Sequence, residues 1–144
     1  MDTAFSLDEI EHRSLRPRIG RKVHAVLVCA ARSCPPLYNR AFIPGVLETQ
    51  TEGRYRVWLA REDLNHFDPD KKYIEISKVF DWYAQDYTGH ASLQNVLSTY
   101  APVHYSDFLS SGDYTIIYKD YHWGLNDQSG LGKDYQHHWW NALF

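Results

Sequence analysis

Apolar residues change their spacing several times along the chain, and each change marks an element. Near the start, Leu7, Ile10 and Leu15 recur at helical spacing. Ser6 and Glu9 form a capping box ahead of them, and Phe5 and Ile10 hold the two positions of a hydrophobic staple. This predicts a first helix that Pro17 or Gly20 ends. Val23 to Ala30 is then almost wholly apolar and partly β-branched, which predicts a strand buried on both faces. Ser33-Cys34-Pro35-Pro36 reads as a turn, because each proline removes a donor and restricts the residue before it.

Pro44 suits the first position of a second helix that carries Leu47, Tyr55, Trp58 and Leu59 on one side, with Gly53 weakening its middle. Tyr73 to Ile76 predicts a short strand. Val79, Trp82, Tyr83, Asp86 and Tyr87 follow at helical spacing behind Ser77 as a cap. Leu93, Val96, Leu97 and Tyr100 predict another helix, stopped by Pro102. Tyr114 to Tyr118 alternates as a strand, and Tyr121, Trp123 and Leu125 suggest one more. The mixed order of helices and strands predicts an α+β fold, a small mixed or antiparallel sheet packed against several helices. Residues 1–126 form one domain in this reading, and 127–144 a polar, Gly-rich C-terminal tail.

With 144 residues, 44% of them hydrophobic and 15% aromatic, the chain is long enough and oily enough for one core, which excludes a disordered or low-complexity protein. A net charge of −3 asks for neither a nucleic acid nor an acidic membrane surface as partner. The longest apolar run, Ala25 to Ala31, is far short of the roughly 20 residues of a membrane span. The opening residues lack the basic and apolar stretches of a signal peptide, so the expected compartment is the cytoplasm. Two cysteines, Cys29 and Cys34, are too few for a disulfide scaffold.

Cys34 is the most suggestive position for chemistry. It lies in a turn after the expected strand, where unpaired backbone N–H groups would favour a thiolate, and a histidine in reach would complete a nucleophile pair. The plainer reading is a small turn residue before two prolines. Cys29, inside the same strand, reads as a packed hydrophobe. On an extended strand His24 would lie roughly 16 Å from Cys29 and on the opposite face. His24, Cys29 and Cys34 therefore do not make a metal site in this reading, and no cofactor is expected. His12 stands one helical turn after Asp8 and Glu9, so a carboxylate could fix its tautomer. Alternatively, Asp8 and Glu9 only complement the helix dipole. His122, between Tyr121 and Trp123, reads as a core or surface histidine, and His137-His138 with Trp139-Trp140 as a docking tail. Arg13, Arg16, Arg18, Arg21 and Lys22 form a basic patch, read as a solvated face.

Four ordered blocks resemble domain-of-unknown-function family 547. They are Ser6-Leu7-Asp8-Glu9-Ile10-Glu11-His12 with Leu15-Arg16-Pro17; His24 to Ala30 with Ser33-Cys34-Pro35-Pro36-Leu37; Ser77 to Tyr83 with Asp86-Tyr87; and Asp120-Tyr121 with Trp123 and Leu125-Asn126. The resemblance spans residues 6–126, with His122 standing where the family usually has an acid. The family's usual Asn-rich helix comes ahead of the first block, so the resemblance implies an N-terminally truncated domain. It also implies a papain-like or transglutaminase-like thiol fold with Cys34 as nucleophile.

Two functions are then expected. In the first, a Cys-His thiol hydrolase or acyltransferase, Cys34 attacks a carbonyl, His12 is the base, Asp8 orients it, and backbone N–H groups beyond Cys34 hold the oxyanion. In the second, the chain is a non-catalytic domain that binds a peptide or protein partner through aromatic anchors such as Tyr55, Trp58, Trp139 and Trp140, or an inactive fragment of a larger domain.

Overall fold

The first helical segment is built as its sequence dictates. The Ser6 hydroxyl accepts the Glu9 N–H at 3.1 Å, and the Glu9 carboxylate accepts the Ser6 N–H at 3.0 Å. A computed structural model describes residues 4–127; the tail beyond Asp127, with His137-His138 and Trp139-Trp140, lies outside them. A π-helical run, Glu9–Leu15, leads into α1 (Arg16–Ile19). Pro17 has no N–H for the turn before it, and a widened turn is one way a helix absorbs such a loss. Gly20, at φ +56°, ends α1 with a backbone turn that a side chain would strain.

The expected strand over Val23 to Ala30 is not formed. Gly20–Ala25 is instead a 3₁₀ helix that buries Val23, His24 and Ala25, and the N–H groups of Val26 and Leu27 bond back to the Val23 carbonyl. A continuous apolar run says that a segment is buried, and does not say which local hydrogen bonds satisfy its backbone. Extended pairing begins only afterwards. Ala31 bridges Leu125 antiparallel, Arg32 N–H donates to the Gly124 carbonyl at 2.9 Å, and Asn126 N–H donates to the Ala30 carbonyl at 2.7 Å. The last expected strand, Tyr121 to Leu125, is thus an extended segment lying along residues 30–33.

Pro44–Val46 opens as a 3₁₀ turn into α2 (Leu47–Leu59), which buries Tyr55, Trp58 and Leu59 on one side. The sheet has three strands: β1 (His66–Asp68) pairs antiparallel with β2 (Tyr73–Ile76), and β2 pairs parallel with β3 (Thr115–Tyr118). Between β2 and β3 lie α3 (Val79–Trp82), α4 (Leu93–Tyr100) and α5 (Ser106–Ser111). The Ser77 hydroxyl accepts the Val79 N–H at the start of α3, and Ser92 caps α4 through the Asn95 N–H. The fold is therefore α+β, with a small mixed sheet packed against helices.

The core lies between α2, α4 and the sheet. Trp58 and Phe80 stack at 4.6 Å between ring centroids, with Ile74, Ile76, Leu97 and Leu109 fully buried around them. Tyr55 keeps its polar end satisfied inside this core by donating to the Arg21 carbonyl at 2.6 Å and meeting the Tyr87 hydroxyl at 3.0 Å. These bonds fasten the 3₁₀ helix carrying His24 onto α2. No helix among the described residues is long and apolar enough to cross a membrane.

Candidate functional site

A cavity of about 280 Å³ opens between the N-terminal helical segment, the bend after the 3₁₀ helix, α3 and the segment ending in Trp123. Both cysteines line it, together with His24, Trp82, Tyr121 and Trp123. Leu7 and Ile10 also contribute to its wall, which accounts for exposed apolar residues on the first helix: Leu7 is 86% exposed.

The two sulfurs are 3.1 Å apart, within hydrogen-bond reach of each other. The Cys29 N–H donates to Cys34 Sγ at 2.9 Å, and the Tyr121 hydroxyl lies 3.2 Å from Cys29 Sγ. Cys29 is the exposed member, whereas Cys34 is 7% exposed. The pair divides its acidity accordingly. The Cys34 thiol beside it draws Cys29 down to about 6 against the cost of burial, with Tyr121 and the backbone of Ala31 assisting. Cys34 moves the other way, because its hydrogen bond with Cys29, its burial and the neighbouring negative charge all favour the neutral thiol. Burial raises the Tyr121 hydroxyl too, so it stays a neutral donor.

Ala30 shapes this arrangement. Its φ of +58° is a left-handed conformation that a Cβ disfavours, and it turns the chain between the two cysteines. The carbonyl of Ala30 is held by Asn126 N–H, while Cys34 N–H bonds to the Ala31 carbonyl at 3.1 Å. That last bond corrects one expectation. Cys34 N–H is already engaged, and Pro35 and Pro36 have none, so the backbone just beyond Cys34 offers no oxyanion donors.

His24, also in the lining, is 5% exposed and stacks on Tyr83 at 3.9 Å between ring centroids. Its Nε2 lies 2.7 Å from the Asp86 carboxylate. Asp86 also accepts two bonds from Arg16, from Nε at 2.8 Å and from a terminal nitrogen at 3.0 Å, in a fork-to-fork pairing. Burial pushes the Asp86 carboxyl up, but the bonds from Arg16 and His24 outweigh it and leave it below the usual range. Burial lowers His24, partly offset by Asp86, with Arg16 adding to the lowering. A neutral imidazole facing an ionised carboxylate carries its proton on Nε2, so Nδ1 is the basic nitrogen. Nδ1 has no hydrogen-bond partner among the described residues.

The structure places the residues expected from sequence in two different surroundings. Cys34 is in the cavity wall. His12 and Asp8 face each other on the first helical segment at 3.6 Å, and neither contributes to that wall. His12 Nδ1 instead lies 3.5 Å from an Arg16 nitrogen. Among the described residues, neither sulfur has an imidazole as hydrogen-bond partner. His24 and Cys29, set far apart by the assumption of an extended strand, line the same cavity because the chain coils and bends between them. Asp86 and Arg16 were outside the expected site; their sequence separation of 70 leaves no local pattern to read. No group of three or more His, Cys, Asp or Glu able to hold a metal ion gathers among the described residues.

The fold and site together define an α+β domain with a paired-thiol cavity. A scan against protein-family models, a search of curated proteins and a search of solved structures all find no match.

Proposed function

We propose that the chain is a thiol-dependent acyl hydrolase or acyltransferase that works through Cys29. One observation carries this reading: the exposed thiol and a histidine fixed by a carboxylate line a single small, aromatic cavity. The expectation from the resemblance to family 547 is a thiol nucleophile at Cys34; the exposure of Cys29 and the burial of Cys34 move that role to Cys29. In the reaction, the Cys29 thiolate adds to the carbonyl carbon of an ester or amide, and the Tyr121 hydroxyl donates to the oxygen that becomes negative. The carbon–oxygen or carbon–nitrogen bond breaks, the leaving group departs as an anion or takes its proton from solvent water, and a thioester remains on Cys29. Water or another nucleophile then adds to the thioester, losing its proton to His24 Nδ1, and Cys29 is released. Apolar walls of Leu27, Val28, Trp82 and Trp123 suit a short acyl or aromatic group.

The test is burst kinetics with excess p-nitrophenyl butyrate. Wild type is expected to release a burst of one nitrophenolate per chain. Cys29→Ser abolishes the burst, and His24→Gln leaves it but slows the steady phase by about 10²-fold or more. A Cys29→Ser protein that still gives the burst, or acylation of wild type no faster than that of free cysteine, overturns the reading. An ester that binds the cavity without turnover favours the second reading, a non-catalytic binding domain.

A further inference from the structure

From the sulfur geometry we infer a second activity, independent of acyl transfer: Cys29 and Cys34 form a dithiol–disulfide couple that reduces small organic disulfides entering the cavity. Three observations carry it. The sulfurs already stand 3.1 Å apart without a bond between them, so closing to a disulfide needs a movement of about 1 Å. Exposure is unequal, with Cys29 reachable from solvent and Cys34 7% exposed behind it, so an incoming disulfide meets Cys29 first. The Cys29 N–H donates to Cys34 Sγ at 2.9 Å, a bond that stabilises negative charge on the buried sulfur when its turn comes. The walls around the pair include Trp82 and Trp123, stacked at 5.6 Å between ring centroids.

The exchange balances without any other reactant. The Cys29 thiolate attacks one sulfur of R–S–S–R, the substrate's sulfur–sulfur bond breaks, and one thiolate leaves. A mixed disulfide joins Cys29 to the other half. Cys29 then carries no charge, so the neighbouring charge and hydrogen bond that kept Cys34 protonated are gone. Cys34 gives up its proton to the departing thiolate and attacks Cys29 Sγ, and the second half leaves as a thiolate that takes up from solvent the proton Cys29 released on ionising. The protein has lost two hydrogens and two electrons, and the substrate has become two thiols. A dithiol reductant returns the pair to its starting state.

The experiment uses the full chain and oxidised glutathione, followed by intact mass and peptide mapping. Wild type is expected to lose two hydrogens and yield one peptide pair linked through Cys29 and Cys34, with no lasting glutathione adduct. Cys34→Ser, and Cys34→Ala in case the hydroxyl perturbs folding, accumulates glutathione on Cys29 in full. Cys29→Ser reacts at least about tenfold more slowly than wild type. A persistent glutathione adduct on wild type, or first attachment at Cys34, overturns the inference, and the wild-type mapping decides this without any variant. Because this exchange is read at a sulfur–sulfur bond and the burst at an ester, failure here leaves the ester reaction standing, and failure of the ester reaction leaves the linked peptide pair standing.

Discussion

Ala30 is the residue where local preference and site geometry disagree. A left-handed φ of +58° costs an alanine about 1–2 kcal/mol, yet the turn it makes puts the Cys29 N–H onto the Cys34 sulfur. Ala30→Gly removes the clash and adds some freedom to the unfolded chain. A net gain of about 0.5–1 kcal/mol in unfolding free energy is expected, read by urea titration, with Cys29 reactivity unchanged. A loss of stability would mean that the methyl group is held by contacts stronger than its strain. At this scale the sequence was partly legible. It pointed to the turn holding Cys34, which does line the cavity, and the capping pair Ser6 and Glu9 forms as read. It ranked Cys29 as a packed hydrophobe because the run around it is oily. Hydrophobicity cannot say that a chain turns near the end of a run and lifts one of its residues into the open.

At the scale of elements, Arg16, His24 and Asp86 join three helical segments that sequence analysis treated separately. Arg16 belongs to α1, His24 to the 3₁₀ helix, and Asp86 to the 3₁₀ turn Ala84–Asp86 that follows α3. The pairing is half-buried and doubly hydrogen-bonded, so Arg16→Leu is expected to lower unfolding free energy by about 2–3 kcal/mol at neutral pH in urea titration, far beyond a surface ion pair. A change below about 0.5 kcal/mol would show that the pair is not formed. The signs of the two titrations agree. His24 is lowered by burial, so below about pH 6.5 the unfolded chain takes up a proton that the folded one refuses, and stability falls. Asp86 is also lowered, so its stabilisation is complete above about pH 3.9 and is lost as pH falls through the folded value. Acidification from neutral should therefore reduce the urea midpoint steadily from about pH 6.5 downward, and a midpoint that rises over that interval would contradict a buried neutral His24. Helix α4 and strand β2 were read correctly, with β3 one residue shorter than expected, because their periodicity and caps are local. β1, three residues long, and α5, six residues long, are too short to carry a period.

For the whole molecule, the α+β class followed from the mixed order of elements, while the site depended on how distant segments meet. The strand expected over Val23 to Ala30 carried an error of geometry into the chemistry. Extended backbone would set His24 far from Cys29, whereas a 3₁₀ helix and a bend bring both to one cavity. One of its walls comes from Tyr121 and Trp123, about ninety residues later, held along residues 30–33 by backbone bonds. The account rests on that cavity containing one acidic, accessible thiol. The groups facing it are the Cys34 thiol and Tyr121 hydroxyl, both kept neutral, with Glu11 and His24 on the surrounding walls. The direct measurement is the rate of iodoacetamide alkylation at Cys29 as a function of pH, resolved by peptide mass. The rate is expected to rise with pH to half its plateau near 6, with Cys34 unlabelled, and the midpoint should move upward in Cys34→Ser. A midpoint near that of an ordinary thiol, about 8.5, or labelling of Cys34 ahead of Cys29, would contradict the account.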